Sequence, residues 1–207
     1  MDQPRDREAL VPEAEQGTLR VLRAAVEAGA ERIVLTSSIV AMMYRAGRPA
    51  VTRVGEGDWT DPEWPPISAY VVSKTRAELA AWSFMVGHGA RGRLVVVNPG
   101  FVLGPLLDRV SGTSVDAVRL LLTGKYPALP PTAYPVVDVR DVAALHVAAM
   151  TAPLGGRRLL AAGETISFRD MALTLREAFP ERATRIPLRT LPGFAVRLVA
   201  VFDPAVR

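Results

Sequence analysis

Two side chains that can exchange a proton lie four residues apart in the stretch AYVVSKTRAE, residues 69–78. They are Tyr70 and Lys74, and residues at this spacing share one side of a helix. A free phenol has a pKa of about 10, and both an ammonium group and a helix N-terminus stabilise a phenolate. A tyrosine in such surroundings can act as a general acid or base toward a carbonyl or alcohol oxygen.

The choice of lysine at position 74 is informative in this sequence. Of the 25 lysine and arginine residues, only Lys74 and Lys125 are lysine. An ammonium is a compact charge whose protonation responds to its surroundings, whereas a guanidinium is planar and stays charged. The residue type therefore predicts a role that needs lysine, and the alternative is an ordinary solvated helix position.

A third group is a hydroxyl at the end of a predicted strand. The run RIVLTSS, residues 32–38, is apolar until Thr36, Ser37 and Ser38, which is typical of a strand buried on both faces. In parallel sheets, ligands bind beyond the carboxyl ends of the strands. A serine there could polarise the oxygen that the tyrosine protonates, or the serines could merely satisfy backbone groups. The combination suits hydride transfer to or from a carbonyl, with a cofactor carrying the hydride.

The pattern of helices and strands predicts how these groups are positioned. Helical periodicity in residues 13–30 and 69–86 alternates with apolar strands, the second of which, in residues 92–105, is broken by Pro99 and Gly100. Strand–helix pairs follow in residues 134–150 and 157–179. This alternation predicts an α/β fold with a parallel sheet covered by helices on both faces. Residues 39–68 predict a long functional loop, in which Trp59 and Trp64 either line a substrate mouth or cover the loop.

Composition excludes several classes of protein. The 207 residues contain no cysteine and two histidines, which leaves no disulfide framework, thiol nucleophile or zinc cluster, and we predict no metal site. The sequence contains no run of 18 apolar residues, which a membrane span would need, and its N-terminus shows no apolar leader. We therefore predict a cytoplasmic location.

Charge is unevenly distributed along the chain. The net charge of +4 comes entirely from residues 157–207, which contain nine arginines and five acidic residues. The arginines occur singly along this segment, which predicts that they form a solvated face and that the protein has no nucleic-acid partner.

Three polar residues near the second strand–helix pair are assigned ordinary structural roles. His146 is predicted to pack in the core. Asp138 is predicted to serve the turn and Asp141 to cap the helix N-terminus.

Several stretches, in this order, resemble one family. They are GTLRVLRAA, RIVLTSSIVA, AYVVSKTRAELAAW, VVVNPGFVLGP and YPVVDVRDVAALHVAAM. Together they resemble extended short-chain dehydrogenase/reductases of the NAD-dependent epimerase/dehydratase superfamily, especially the dihydroflavonol-reductase-like and aldehyde-reductase branch. The resemblance implies a Rossmann-type, doubly wound parallel sheet without its leading strands. Residues 1–150 would be the later part of the NAD(P)-binding domain, with a substrate-lobe insertion near 106–135, and 151–207 a partial substrate-binding lobe.

The resemblance also implies roles for individual residues. Ser38, Tyr70 and Lys74 would be the catalytic set, with Tyr70 as the acid in reduction and Lys74 also binding the nicotinamide ribose. The cofactor would be NADP or NAD, with NADP favoured. Cofactor contacts are implied at Tyr70 and Lys74 themselves and at Thr36, Pro99, Val102 and Ser114, and substrate contacts at Met43 and Phe101.

Two features of the family bear on substrate and partners. The position of Met43 is polar in plant flavonoid reductases, so its apolar side chain favours an apolar carbonyl substrate here. A homodimer is possible through outward positions of the Tyr70 helix, including Trp82 and Met85.

The phosphate-binding loop of the family has no counterpart in this sequence. The one G-x-G-x-x-G match, at Gly87, Gly89 and Gly92, follows a helix and precedes a strand, the reverse of the required order. We therefore expect a fragment, or a gene start set late at Met1, with the RIVLTSS strand as a bare sheet edge.

Three hypotheses follow: a nicotinamide-dependent reductase of aldehydes or ketones, a nucleotide-sugar epimerase or dehydratase, and a non-catalytic fragment.

Overall fold

The computed structural model describes residues 4, 6–49, 52–107 and 112–191, which form two compact units. We call residues 4–100 with 140–161 the large unit, and residues 101–139 with 162–191 the small unit. In chain order the elements are α1 (Val11–Glu27), β1 (Ile33–Thr36), α2 (Val40–Met43), α3 (Ala69–Gly87), a 3-10 helix (Arg91–Arg93), β2 (Leu94–Pro99), β3 (Phe101–Leu103), α4 (Thr113–Leu122), β4 (Ala133–Asp138), α5 (Val139–Thr151), β5 (Arg158–Ala161), β6 (Thr165–Ser167), α6 (Phe168–Ala178) and a second 3-10 helix (Pro180–Arg182).

A parallel three-stranded sheet forms the centre of the large unit, in the order β1-β2-β5. All six residues of β2 are buried, as expected of an apolar strand between two neighbours. β1 lies at the edge, in agreement with the predicted edge position of RIVLTSS. Its register with β2 places Thr36 opposite Val97.

Helices α1 and α3 pack on this sheet through a shared apolar cluster. The cluster centres on the fully buried Met85 and Leu94, and on Leu22 and Val96. Met85 was expected to point outward toward a dimer partner, and this expectation is wrong because its side chain fills the core between α3 and β2. Trp82 is half-buried against the same cluster.

The small unit has its own sheet, in the order β3-β4-β6. The predicted break at Pro99 and Gly100 is confirmed, because β2 ends at Pro99 and β3 begins at Phe101 in a different sheet. β4 pairs in parallel with β3 but antiparallel with β6, so an all-parallel sheet is not what forms here. The core of this unit is a separate cluster that includes Leu121, Leu129 and Phe168.

Other boundaries also differ from the sequence-based expectations. The segment expected to be a continuous loop contains helix α2. α5 begins at Val139, so Asp141 lies inside its first turn and is not the N-cap. The compact units do not divide at residue 150, since residues 140–161 belong to the large unit. In the part of the chain that the structure describes, no helix is long and apolar enough to cross a bilayer.

Candidate active site

Helix α3 carries Tyr70 and Lys74 in its first two turns. The side chain of Ser68 caps the helix, its Oγ accepting a hydrogen bond from Val71 N at 3.5 Å. Tyr70 is 40% exposed and Lys74 is half-buried, so a ligand could reach both. Their four-residue spacing places them on one side of α3, and the helix N-terminus contributes partial positive charge there.

The end of β1 is held against β2 by backbone hydrogen bonds on both sides of Ser38. Ser37 N donates to Val97 O at 2.8 Å, and Ile39 N donates to Pro99 O at 2.9 Å. The half-buried Ser38 accepts a weak hydrogen bond at Oγ from Val40 N, 3.4 Å away. The peptide of Ser38 is therefore fixed, while its hydroxyl makes only this long contact among the hydrogen bonds described.

A buried carboxylate, which the sequence analysis did not single out, lies one turn beyond Lys74. Glu78 is 1% exposed, and its Oε2 accepts hydrogen bonds from Ser37 Oγ at 2.6 Å and from Asn98 Nδ2 at 2.8 Å. Asn98 Nδ2 also donates to Ser38 O at 3.1 Å. The sequence pattern could have identified Glu78, since this residue continues the four-residue spacing of Tyr70 and Lys74.

The partner of this carboxylate is Arg158, whose Nε donates to Glu78 Oε1 at 2.6 Å. Arg158 was expected on a solvated face, but it is only 6% exposed because β5 places it beside β2 in the interior. Its guanidinium lies over the ring of Trp59, 3.6 Å from the centroid. Trp59 therefore covers a buried ion pair, while Trp64 packs in a second apolar cluster of the large unit.

Thr36, an implied cofactor contact, is exposed at the end of β1. Its Oγ1 is 2.7 Å from His146 Nε2, and His146 Nδ1 is 2.8 Å from Val142 O. His146 is half-buried on α5 and holds this hydroxyl, a role beyond the packing expected of it.

Met43, an implied substrate contact, lies half-buried at the end of α2. Arg48 donates to the carbonyl oxygens of Met42 and Met43, at 2.7 and 3.1 Å, and forms an ion pair with Asp58. The backbone N–H of Gly55 lowers the pKa of Asp58 below its usual 3.8, and the charges of Arg48 and Arg45 lower it further against the opposing effect of burial.

The remaining predicted contacts are divided between the two units. Pro99 is buried in the large unit, whereas Phe101, Val102 and Ser114 belong to the small unit. The Phe101 ring stacks on Tyr134 with centroids 5.5 Å apart, inside the small unit's core. Ser114 lies in the first turn of α4.

The small unit also contains a cavity of about 320 Å3 with a mainly apolar lining. The residues around it are Leu103, Gly104, Val115, Val118, Val136, Ile166, Met171, Thr174 and Leu175.

The three glycines of the G-x-G-x-x-G match do not form a phosphate-binding turn. Gly87 is the last residue of α3, Gly89 has φ +62° in the following turn, and Gly92 lies in the 3-10 helix before β2. They connect a helix to a strand, as the sequence order predicted. Within the described ranges, no group of three or more histidine, aspartate or glutamate side chains could hold a metal ion.

Comparison with known proteins identifies the family. Residues 3–161 match the NAD dependent epimerase/dehydratase family. The chain belongs to this family. It is 36% identical over 178 residues to cinnamoyl-CoA reductase 1 of Petunia hybrida, covering 85% of this chain and 53% of that enzyme. It is also 31% identical over 201 residues to a putative NADPH-dependent methylglyoxal reductase of Candida albicans, covering 88% of this chain and 58% of that protein.

Solved structures of reductases share this fold. The methylglyoxal/isovaleraldehyde reductase of yeast, in complex with NADPH, superposes with a TM-score of 0.73 at 26% identity, covering 93% of this chain and 68% of that one. The Rossmann-type α/β class is thereby confirmed. The chain spans about half the length of the curated relatives that it matches.

The donor groups of the large unit suit the nicotinamide ribose of the dinucleotide after which this family is named, whereas the phosphate-binding loop has no counterpart in this sequence. Lys74 supplies three N–H donors, which suit the two hydroxyls of a ribose, and the exposed phenol of Tyr70 lies one turn away. Thr36 adds an exposed hydroxyl at the end of β1.

Proposed function

We propose that this protein is an NADPH-dependent reductase of aldehydes or ketones that uses Ser38, Tyr70 and Lys74. The observation that carries the proposal is the arrangement in the large unit. Tyr70 and Lys74 share the side of α3 that continues to Glu78, and Glu78 contacts the β1 end immediately before Ser38. Membership of the epimerase/dehydratase family, with reductases among the relatives, supports it.

Each residue of the proposed set has a distinct task. When bound, NADPH supplies the hydride. Tyr70 delivers the proton to the carbonyl oxygen, and Ser38 donates a hydrogen bond to the same oxygen as negative charge develops on it. Lys74 binds the ribose and places an ammonium beside the phenol. The cofactor contacts at Thr36, Pro99, Val102 and Ser114 are part of the same proposal.

An apolar carbonyl compound is the substrate class that the chain supports. Met43 and Phe101, the implied substrate contacts, are both apolar. Apolar contacts bind hydrocarbon groups better than polyhydroxylated compounds, which disfavours a sugar nucleotide. Methylglyoxal, an aldehyde and ketone after which one relative is named, is the first compound to test. Cinnamoyl-CoA, after which another relative is named, is a thioester and tests whether a different class of carbonyl compound is accepted. A homodimer and a cytoplasmic location stay predictions.

Replacing Tyr70 by Phe tests the proposed proton donor. Because the phosphate-binding loop has no counterpart in this sequence, we expect the wild-type 207-residue chain to bind NADPH weakly and to consume it with an aldehyde only at high NADPH concentration. Under those conditions, we expect Tyr70→Phe to lower kcat by about 100- to 10,000-fold, the usual contribution of a general acid. The affinity for NADPH, measured by its fluorescence, should change little because Lys74 and Thr36 remain. Turnover is measured from the loss of NADPH absorbance.

Tyr126→Phe is the matched control, because Tyr126 packs in the small unit's core and has no proposed part in catalysis. Unchanged turnover in Tyr70→Phe would contradict the proposal. A folded wild-type chain that fails to bind NADPH or NADH would instead favour the non-catalytic alternative.

A further inference from the structure

A buried ion pair outside the proposed catalytic set links α3, the ends of β1 and β2, and the segment that follows α2. Glu78 and Arg158 are 1% and 6% exposed and are joined by a 2.6 Å hydrogen bond. Charges are costly to bury, so a buried pair persists only when its hydrogen-bonding groups are satisfied. What else the two side chains contact shows what the pair can do.

The carboxylate of Glu78 holds the strand end that contains Ser38. Its Oε2 accepts from Ser37 Oγ and Asn98 Nδ2, and the same Nδ2 donates to the carbonyl oxygen of Ser38. Ser37 and Asn98 are themselves buried. One oxygen of α3 is thus linked to the ends of both β1 and β2.

The position of Glu78 on α3 gives this link a consequence for the site. Glu78 follows Lys74 by four residues and Tyr70 by eight, which is about 12 Å along a rigid helix. Fixing Glu78 to the strand ends therefore fixes how far α3 lies from Ser38. It also fixes the rotation of α3 about its axis, and with it the directions of Tyr70 and Lys74 relative to Glu78.

Arg158 extends the same restraint to the segment that follows α2. Its Nη1 donates to the carbonyl oxygens of Glu56, at 3.1 Å, and Asp58. Trp59 covers its guanidinium plane. The hydrogen bonds of this pair therefore connect the segment after α2, helix α3, and the ends of β1 and β2.

We propose that Glu78, with Arg158 as its counter-ion, is a positioning residue that sets Ser38 against the side of α3 bearing Tyr70 and Lys74. This inference rests on the proposed function, because the geometry it maintains is that of the proposed site. Glu78 reaches the reacting atoms only through Ser37, Asn98 and the helix backbone.

The least disruptive test is Ser37→Ala, which removes one hydrogen bond to Glu78 and leaves the ion pair intact. We expect kcat to fall by about 10- to 100-fold with KM unchanged, since small displacements of catalytic groups have effects of this size. Thr75→Ala is the matched control. Like Ser37→Ala, it removes a buried hydroxyl. The Thr75 hydroxyl donates to Val71 O within α3 rather than to Glu78, so kcat should stay near the wild-type value.

Hydrogen exchange gives a readout that does not need turnover. In Ser37→Ala and Glu78→Gln, we expect faster exchange in the peptide containing residues 36–40 than in wild type, because the amides of Ser37 and Ile39 bond across the same strand ends. Thr75→Ala should leave that peptide unchanged. Unchanged exchange in both Ser37→Ala and Glu78→Gln would overturn the inference.

A double variant separates positioning from stability alone. Glu78→Gln leaves Arg158 buried without its counter-charge and should lower the melting temperature. The double variant Glu78→Met with Arg158→Met removes both charges and should regain much of the lost melting temperature. Positioning predicts that kcat stays low in the double variant, whereas a purely structural role predicts that kcat recovers with stability. If wild type shows no turnover, the proposed function fails, and the exchange measurements still decide whether Glu78 holds the strand ends.

Discussion

At the scale of single residues, the rare lysine lies where both of its interpretations still apply. Lys74 is half-buried on the side of α3 that continues to the Glu78 network, and a role that needs lysine stays a prediction. Two arginines also occupy positions that suit their residue type. Arg158 and Arg48 each hold several backbone carbonyl oxygens, a task for which the forked guanidinium is well suited.

Asp58 gives a prediction at this scale. The N–H of Gly55 and the nearby arginines lower its pKa in the folded protein below the usual 3.8. The ionised carboxylate therefore contributes stability above about pH 4, and this contribution is lost as the pH falls through the folded-state pKa. We expect Asp58→Asn to lower the melting temperature at neutral pH and to reduce its dependence on pH in the acid range.

Thermal unfolding between neutral and acid pH measures this effect. Glu31→Gln, which removes an exposed carboxylate in the turn between α1 and β1, controls for the loss of one negative charge. Parallel acid profiles for wild type and Asp58→Asn would show that the ionised Asp58 carboxylate does not contribute.

At the scale of elements, α3 is the part of the molecule on which most of the site depends. Its first turn carries Tyr70, its second Lys74 and its third Glu78, while Ala81 and Met85 anchor the far half in the core. Its N-cap contact, from Val71 N to Ser68 Oγ, is 3.5 Å long.

Two serine N-caps, those of α3 and α6, can be compared directly. Ser167 caps α6 with a shorter contact from Asp170 N, 3.1 Å, and its hydroxyl also donates to Asp170 Oδ2 at 2.6 Å. We expect Ser167→Ala to lower the free energy of unfolding by about 1–2 kcal/mol, and Ser68→Ala by about 0.5–1 kcal/mol. Chemical denaturation followed by circular dichroism measures both.

Replacement by glycine is the control for each cap, because glycine is also tolerated at that position and should cost less than alanine. A larger effect of Ser68→Ala than of Ser167→Ala would contradict this ranking. It would mean that the first turn of α3 is more dependent on its cap than the contact distances indicate.

At the scale of the whole molecule, two compact units have separate apolar cores. Leu94 lies in the core of the large unit and Leu129 in that of the small unit, and both are fully buried. The two clusters have no residue in common. Each unit therefore has its own source of hydrophobic stabilisation.

Truncating each leucine tests whether the cores act separately. Leu94→Ala and Leu129→Ala should each lower the free energy of unfolding by about 2–5 kcal/mol, the usual range for a buried leucine. In hydrogen exchange, we expect Leu94→Ala to reduce protection mainly in β2 and α3, and Leu129→Ala mainly in α4 and α6. Equal loss of protection in both units from either change would contradict separate cores.

Leu107→Ala is the matched control, since Leu107 is fully exposed and its truncation leaves no cavity. We expect it to leave the free energy of unfolding and the exchange pattern close to those of wild type.

The sequence by itself determined the α/β class, the strand ending at Thr36, the helix bearing Tyr70 and the break between Pro99 and Phe101. These follow from local patterns, namely apolar runs, helical periodicity and the chemistry of proline and glycine, which act over a few residues. The resemblance carried by those stretches led to the family. The roles of Ser38, Tyr70 and Lys74 remain predictions.

Only the tertiary structure decided which distant residues meet. Glu78 and Arg158 are 80 positions apart, and the sequence pattern placed Arg158 in solvent because an isolated arginine usually lies there. Met85 was assigned to the surface for a similar reason, since helical spacing identifies a face but not what covers it. The antiparallel pairing of β6 and the assignment of residues 140–161 to the large unit likewise depend on long-range packing. Burial and pairing between remote segments are properties of the folded chain, and no local pattern specifies them.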